Sequence, residues 1–313
     1  MANSIGGKMS SDFIFFIWTT PPMTFTDVAQ RCVESICRWH PHAMIRALSN
    51  TLPPEFFSAL QAANCDISVE RYDLATLVRG SSTEVWYDFR RFWSRSAYFP
   101  NHEADLLRLL TLRDRGGTYV DTDVIFLRPF TLGAGCVTAV GIESGVGGLN
   151  TSQAASVSGG GDAARLPAAS ILCNAVMRSD EAHAPLLESA IESFVREYVP
   201  LTPGLSMLEL HQRGEWGAMG PLLLTRVVQR RAPHAAVDGT CVLAREVFYP
   251  IAPAEMAAHF AHHDVATWER LHARSVSVHL WNALTKALPL RCGSLVHRLL
   301  EENCVACVPL RCA

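Results

Sequence analysis

Two aspartates one residue apart, Asp121 and Asp123, lie in the run Thr118-Tyr-Val-Asp-Thr-Asp-Val-Ile-Phe-Leu127. Read as a strand, whose side chains alternate with a period of two, this run directs both carboxylates to one side and toward one point. Holding two like charges beside Val120, Val124, Ile125 and Phe126 is costly unless something positive lies between them. A divalent cation is the usual partner for such oxygen ligands. By spacing alone, a plain acidic turn at a strand end fits about as well.

The segment before it carries a second pair. Asp105 and Arg108 are i, i+3 neighbours in a leucine-rich helix, where they can serve a polar ligand as acceptor and donor. A surface ion pair of little energetic value is the plain alternative. Gly116-Gly117 separates this helix from the acidic run, and the fixed succession of the two pairs is more informative than either alone. Further along, His279 sits between Val278 and Leu280, where a lone histidine is more often an ordinary core residue.

These residues need elements to position them. Phe13 to Trp18 is a short apolar run closed by Thr-Thr-Pro-Pro, which predicts a buried strand opening into a loop. A helix over 26–39, a strand over 43–48, a helix over 54–63 and a strand over 67–72 follow. The segment 101–114 predicts a helix capped by Asn101 and stopped by Gly116-Gly117. The acidic run then predicts one strand over 118–127, ended by Pro129. Beyond it come a strand over 170–177, helices over 184–199 and after Gly220-Pro221, and short strands over 240–249. A strand over 276–281 and a helix over 294–303 complete the chain. Strands alternating with amphipathic helices predict an α/β layered sheet. Residues 143–169, rich in Gly, Ser and Ala, predict a mobile surface loop. No repeat or linker divides the chain.

Composition narrows the possible functions. With 49% hydrophobic and 18% charged residues over 313 positions, the chain is long and apolar enough for a well-buried core. Lys+Arg 27 against Asp+Glu 30 gives a net charge of −3, and no basic stretch stands out, which argues against a nucleic-acid partner. No apolar run reaches the roughly 18 residues of a membrane span, and the start lacks the pattern of a secretion signal. Ten cysteines are many for a reduced compartment and few for a disulfide scaffold of this length. Cys32 and Cys37 fit core packing in the helix over 26–39. The tail cysteines Cys292, Cys304, Cys307 and Cys312 fit disulfides better than zinc, because Cys304-x-x-Cys307 has no second such pair. A sequon, Asn150-Thr151-Ser152, mildly favours a secretory compartment.

From Ala104 to Asp123, the run Ala-Asp-Leu-Leu-Arg-Leu-Leu-Thr-Leu-Arg-Asp-Arg-Gly-Gly-Thr-Tyr-Val-Asp-Thr-Asp resembles the signature of the DXD-motif glycosyltransferases of the sugar-binding-region type. Within that family it is most similar to the α1,4-galactosyltransferases and α1,4-N-acetylglucosaminyltransferases. Phe15-Phe-Ile-Trp18, Asn174-Ala-Val-Met177, Trp216-Gly-Ala-Met-Gly-Pro221, Phe248-Tyr-Pro-Ile251 and Val278-His-Leu-Trp-Asn282 extend the resemblance over nearly the whole chain. The Gly/Ser-rich stretch 143–169 and the cysteine-rich tail depart from it.

The resemblance implies a GT-A type fold, a Rossmann-like mixed sheet flanked by helices, as one catalytic domain over 1–313. Residues 1–130 would form its nucleotide-sugar-binding half and residues 131–313 its acceptor-binding half. It implies a retaining transferase that moves a hexose, galactose from UDP-galactose first, to a saccharide or glycolipid hydroxyl in an α-linkage, with Mn²⁺ (or Mg²⁺). Asp123 and His279 would ligate the metal, and Asp121 would contact the metal or the donor ribose. Asp105 and Arg108 would hold the hydroxyls of the donor sugar, and Trp18 would stack on the base or line its pocket. Asn174 would act near the anomeric carbon, Trp216 and Gly220 would shape the acceptor side, and Trp281 would close the pocket. No nucleophile stands out, which suits a front-face mechanism; Glu143 and Glu215 are considered for an assisting role and set aside. The Golgi lumen follows by resemblance, with a cytoplasmic location left open.

Two rival readings remain. A non-catalytic carbohydrate-binding protein would keep the fold without turnover, against which the intact Asp105, Arg108, Asp121 and Asp123 speak. A haloacid-dehalogenase type phosphatase also uses Asp-x-Asp, but it needs a later lysine and a second acidic pair. This chain has only Lys8 and Lys286 and no Asp-Asp pair.

Overall fold

The computed structural model describes residues 13–144, 170–198, 217–231, 238–307 and 309–313. Its first strand, β1 (Phe13–Ile17), is apolar at every position because it lies inside a sheet covered on both faces. Alternation divides the strand between two cores. Ile14 and Phe16 join one cluster with α1 (Asp27–Trp39), while Phe13 and Phe15 join the other. Thr26 caps α1 by accepting from the Ala29 N–H at 3.2 Å, and Cys32, Val33 and Ile36 form its buried stripe.

β2 (Met44–Leu48), α2 (Ser58–Ala62) and β3 (Ile67–Glu70) follow as predicted, with α2 shorter than expected. Three short helices not read from the sequence come next: α3 (Leu74–Val78), α4 (Glu84–Asp88) and α5 (Arg90–Trp93). The long helix α6 spans Phe99–Arg115, so Asn101 is not its cap. Tyr98 occupies that position and Pro100 lies in the first turn, where a missing N–H costs nothing. The backbone turns at Gly116 and enters β4 (Gly117–Val120).

The predicted strand over 118–127 is two strands. β4 ends where the Asp121 N–H donates to the Ala175 carbonyl at 2.8 Å, and the Val124 N–H donates back to the Asp121 carbonyl at 3.2 Å. Residues 121–123 therefore form a turn, and β5 (Val124–Phe126) leaves the main sheet. After β6 (Thr138–Ser144) and β7 (Ile171–Ser179) come α7 (Pro185–Tyr198), α8 (Pro221–Arg231) and β8 (Thr240–Leu243). Where the sequence suggested strands as far as 249, residues Arg245–Phe248 form helix α9. Two further helices not anticipated, α10 (Pro253–Ala261) and α11 (Val265–Arg274), precede β9 (Ser277–His279), α12 (Asn282–Thr285) and α13 (Leu295–Glu302).

The main sheet has the order β3-β2-β1-β4-β7-β6-β8. β3, β2, β1 and β4 run parallel; β7 is antiparallel to both β4 and β6, and β8 is parallel to β6. This is the α/β mixed sheet flanked by helices that the alternation of strands and helices predicts. β5 pairs antiparallel with β9, which sets Val124 opposite His279. Of the loop expected at 143–169, residues 143 and 144 belong to β6, and residues 145–169 lie outside the described residues. No helix among the described residues is long and apolar enough to cross a membrane.

Four disulfides join Cys37 to Cys65, Cys136 to Cys241, Cys292 to Cys312 and Cys304 to Cys307. Cys37 is thus a bridge as well as a core residue, because its partner just before β3 comes within 5.6 Å Cα to Cα. Cys32 remains a buried free thiol, as core packing predicts.

At Gly117 (φ +89°) a Cβ would meet the Phe13 carbonyl oxygen at 2.5 Å and its ring at 2.7 Å. Gly117→Ala should therefore lower unfolding free energy by about 2–3 kcal/mol or more. Gly80→Ala, also at positive φ (+71°) but facing open space, should cost about 1 kcal/mol. Urea unfolding of both variants checks the contrast; equal costs would contradict it.

Candidate functional site

The turn at 121–123 lies where the chain passes from the main sheet to the β5–β9 ribbon, and that switch gives its two carboxylates different partners. Asp123 faces the ribbon. His279 Nε2 donates to Asp123 Oδ2 at 3.1 Å, the Asn282 N–H donates to the same oxygen at 2.7 Å, and the Leu280 N–H donates to the Asp123 carbonyl at 2.8 Å. Asp121 faces helix α6. Its Oδ1 accepts from the Tyr119 hydroxyl and, at 3.4 Å, from the Arg108 guanidinium. The two carboxylates converge as expected, but through a turn rather than strand alternation. One ligand atom each from Asp121, Asp123 and His279 lie within 4.8 Å of one another.

Behind Asp121 the network goes deeper. Arg108 donates to the Asn174 carbonyl at 2.6 Å, stands 3.5 Å from Asp105, and lies 4.1 Å from the centre of the Tyr119 ring. The Asn174 side-chain amide donates to Asp105 Oδ1 at 2.8 Å. Asp105 and Arg108 are only 5% and 6% exposed, so this is no surface ion pair. Gly220 closes the same cluster: a Cβ there would fall 2.6 Å from Asn174 Nδ2 and 2.7 Å from an Asp105 oxygen.

Electrostatics follow from this packing. Burial pushes Asp105 up to about 6, although Arg108 and the Asn174 amide pull it down. Burial also raises Asp121, helped by the neighbouring Asp123 charge and opposed by Arg108. For Asp123 burial works the same way, but the His279 charge and the hydrogen bonds from His279 and Asn282 outweigh it and hold the carboxyl below its usual range. His279 is the mirror image: burial disfavours its charge, and Asp123 nonetheless raises it well above an ordinary histidine. Three carboxylates thus face one guanidinium and one imidazole. Side chains of Asp121 and Asp123 stay 28% and 16% exposed, open to an ion from solvent. Two carboxylates and an imidazole suit Mn²⁺ or a similar divalent cation.

Trp281 takes a left-handed backbone (φ 55°), leans against His279 with ring centres 4.0 Å apart and planes tilted by 43°, and donates from Nε1 to the Ile251 carbonyl at 3.1 Å. It is 6% exposed, so it supports the His279 ring rather than standing open as a pocket wall. Trp18 is half-buried at the carboxyl end of β1, against Phe25 at 4.7 Å, with a buried Nε1 that has no partner among the described residues. Trp216 and Glu215 lie outside the described residues.

The family model described as glycosyltransferase sugar-binding region containing DXD motif matches residues 26–143. A second, the alpha 1,4-glycosyltransferase conserved region, matches residues 179–310. Together they take in the acidic turn and the ribbon that pairs with it. Over these two stretches, neither of them half of the chain, the chain matches DXD-containing glycosyltransferases. The lactosylceramide 4-alpha-galactosyltransferase of Mus musculus is 24% identical over 90% of this chain and 70% of that protein. The protein At4g19900 of Arabidopsis thaliana is 24% identical over 94% of this chain, which spans 42% of that relative's length. Among solved structures, the galactosyltransferase LgtC with donor and acceptor sugar analogs aligns with a TM-score of 0.45 and 12% identity, over 95% of this chain and 97% of that one.

The sequence reading assigns no role to Tyr119, although it precedes Asp121 by two residues in the run read there as one strand, a spacing that signals a shared face. Nor does it include the Asn282 backbone N–H, which no side-chain pattern can reveal. Cys173 was missed and Glu143 set aside, yet both lie near His279.

Asp105 gives a pH signature. Its native pKa of about 6 lies above that of an unfolded aspartate near 3.9, so the native state holds the proton more tightly. Its contribution favours folding most below about pH 4, declines as pH rises, and reaches its full cost, about 3 kcal/mol, above pH 6. Asp105→Asn should remove that decline. Urea unfolding at pH 4, 5, 6 and 7 checks it, and equal slopes in both proteins would contradict the assignment.

Proposed function

We propose that this protein moves a hexose from a nucleotide-linked donor, with UDP-galactose the first candidate, onto a saccharide or glycolipid hydroxyl. The product is an α-glycoside with the donor's configuration retained, and Mn²⁺ is held by Asp121, Asp123 and His279. The observation that carries this reading is the shortage of positive charge where those three side chains come within 4.8 Å of one another. A divalent cation bound there would stabilise the charge that develops on a departing diphosphate.

The protein's own groups supply the remainder. Asp105, Arg108 and Asn174 form a buried, mutually hydrogen-bonded set suited to hold sugar hydroxyls, with Asn174 toward the reacting carbon. Trp18 lies at the carboxyl end of a parallel strand, where α/β sheets bind nucleotides, and would line the base pocket. Gly220 keeps Asp105 and Asn174 in place on the acceptor side, and Trp281 holds His279 in orientation. The relatives named lactosylceramide 4-alpha-galactosyltransferase support galactose and a glycolipid acceptor. Four disulfides suit an oxidising lumen such as the Golgi's.

Incubation with Mn²⁺ and UDP-galactose, UDP-glucose, UDP-N-acetylglucosamine or GDP-mannose, read by mass spectrometry, should show slow hydrolysis of UDP-galactose above the others. Silence with every donor would instead support a binding protein without turnover. Asp123→Ala should lower Mn²⁺-dependent turnover about 100-fold or more with the fold retained, as circular dichroism would report. Near-normal activity would remove the metal reading. Arg108→Lys should raise the donor KM about tenfold while moving the melting temperature little, because an ammonium cannot reproduce a planar fork. An unchanged KM would show that Arg108 does not meet the donor.

A further inference from the structure

Away from the acidic turn, the fold gathers positive charge that the sequence spreads out. A cavity of about 320 Å³ is lined by Arg245, Glu246, Pro250, Arg270, Arg274 and Ser275. Its volume is within the range of sites for small molecules. Three guanidiniums meet there with one carboxylate, Glu246, which is exposed.

Two hydrogen bonds bring these residues together from separate elements. Arg245 opens α9, while Arg270 and Arg274 lie near the end of α11, where i, i+4 spacing puts them on one face. Just past Ser275, the Val276 N–H donates to the Val247 carbonyl of α9 at 2.8 Å, and the Ser277 hydroxyl donates to the Phe248 carbonyl at 3.2 Å. The end of α11 is thereby joined to α9. Ser275 precedes β9, whose last residue is His279, so the strand rise sets the cavity about 13 Å from the imidazole.

Little in the protein uses up these donors. Arg245 gives Nε to the Tyr249 carbonyl at 3.2 Å and Nη2 to the Pro250 carbonyl at 3.4 Å, with the exposed Glu255 3.8 Å from Nη2. Its guanidinium is held in place, and Nη1 remains for another acceptor. Arg270 reaches Thr267 Oγ1 at 3.5 Å, and Arg274 meets no acceptor among the described residues. Ser275 is 1% exposed, and its hydroxyl has no hydrogen-bond partner among the described residues. A buried hydroxyl without a partner is uncommon enough to need a reason. Cations in the last turn of a helix suit its dipole, which accounts for Arg270 and Arg274 but for neither Arg245 nor the orphaned hydroxyl.

We propose that this cavity binds a phosphate group through Arg245, Arg270, Arg274 and the Ser275 hydroxyl. A guanidinium suits such a group because its planar fork matches two oxygens and its charge persists at any working pH. The site involves neither the acidic turn nor a metal. It therefore stands or falls separately from the proposed function.

Calorimetric titration and thermal melting in chloride buffer without Mn²⁺, at matched ionic strength, test it with three probes. These are inorganic phosphate, glucose 6-phosphate, and phosphatidylcholine vesicles with and without phosphatidic acid. Binding should saturate, and the double variant Arg270→Ala, Arg274→Ala should weaken it by about tenfold or more. Arg274→Lys, which keeps the charge without the fork, should weaken it less than Arg274→Ala. Ser275→Ala should weaken it about 2–10-fold and leave the melting temperature in chloride unchanged, because the hydroxyl has no protein bond to lose. Circular dichroism checks that the double variant folds, as two exposed side chains should allow. Binding of glucose 6-phosphate tighter than that of inorganic phosphate assigns the site to a soluble ester. Vesicle binding that requires phosphatidic acid, with a weaker response to glucose 6-phosphate, assigns it to a lipid headgroup. A response equal in the parent protein and the double variant is a general salt effect and overturns the proposal, as does no saturable response to any of the three probes.

Discussion

Negative charge in excess of its protein-borne compensation is the constraint on which the site depends. Asp105, Asp121 and Asp123 share a partly enclosed region with Arg108 and His279 as nearest cations. In water such an imbalance would cost little. Where solvent is thinned out, it is relieved by raising a carboxyl's affinity for a proton, as at Asp105 and Asp121, or by admitting another cation. Both routes converge on the partly exposed side chains of Asp121 and Asp123.

The fold creates that imbalance by dividing its strands. If β4 continued straight into β5 within one sheet, Asp121 and Asp123 would be ladder residues and no ribbon would stand opposite them. The turn instead releases β5 to pair with β9, so His279 and the Asn282 N–H arrive from the far end of the chain. Helix α6 packs against β4 from the other side and delivers Arg108 and Asp105. Each carboxylate is thereby held by a different layer.

Much of this was legible in the residues. The apolar run of β1, the leucine-rich α6 with its glycine stop, and the pairing of Asp105 with Arg108 follow from periodicity and appear in the structure. The break between β4 and β5 was not legible, because Thr118 to Leu127 has the same β-rich composition whether it forms one strand or two. Nor did residues 245–248 reveal a helix; a four-residue segment carries too little period to distinguish the two states. The α10–α11 pair was passed over because neither helix bears a motif. Cys173 was missed and Glu143 set aside for a different reason: the β6–β7 ladder is irregular around them, which hydrophobic pattern does not encode.

The pairing of Asp123 with His279 joins residues 156 positions apart. A ribosome releases the acidic turn long before the imidazole that completes it. Throughout that interval of synthesis the nascent polypeptide carries an acidic cluster with Arg108 as its nearby counter-charge, and the ribbon that finishes the pocket cannot form. Completion of the pairing around the acidic turn thus waits until the distal segment has been synthesised.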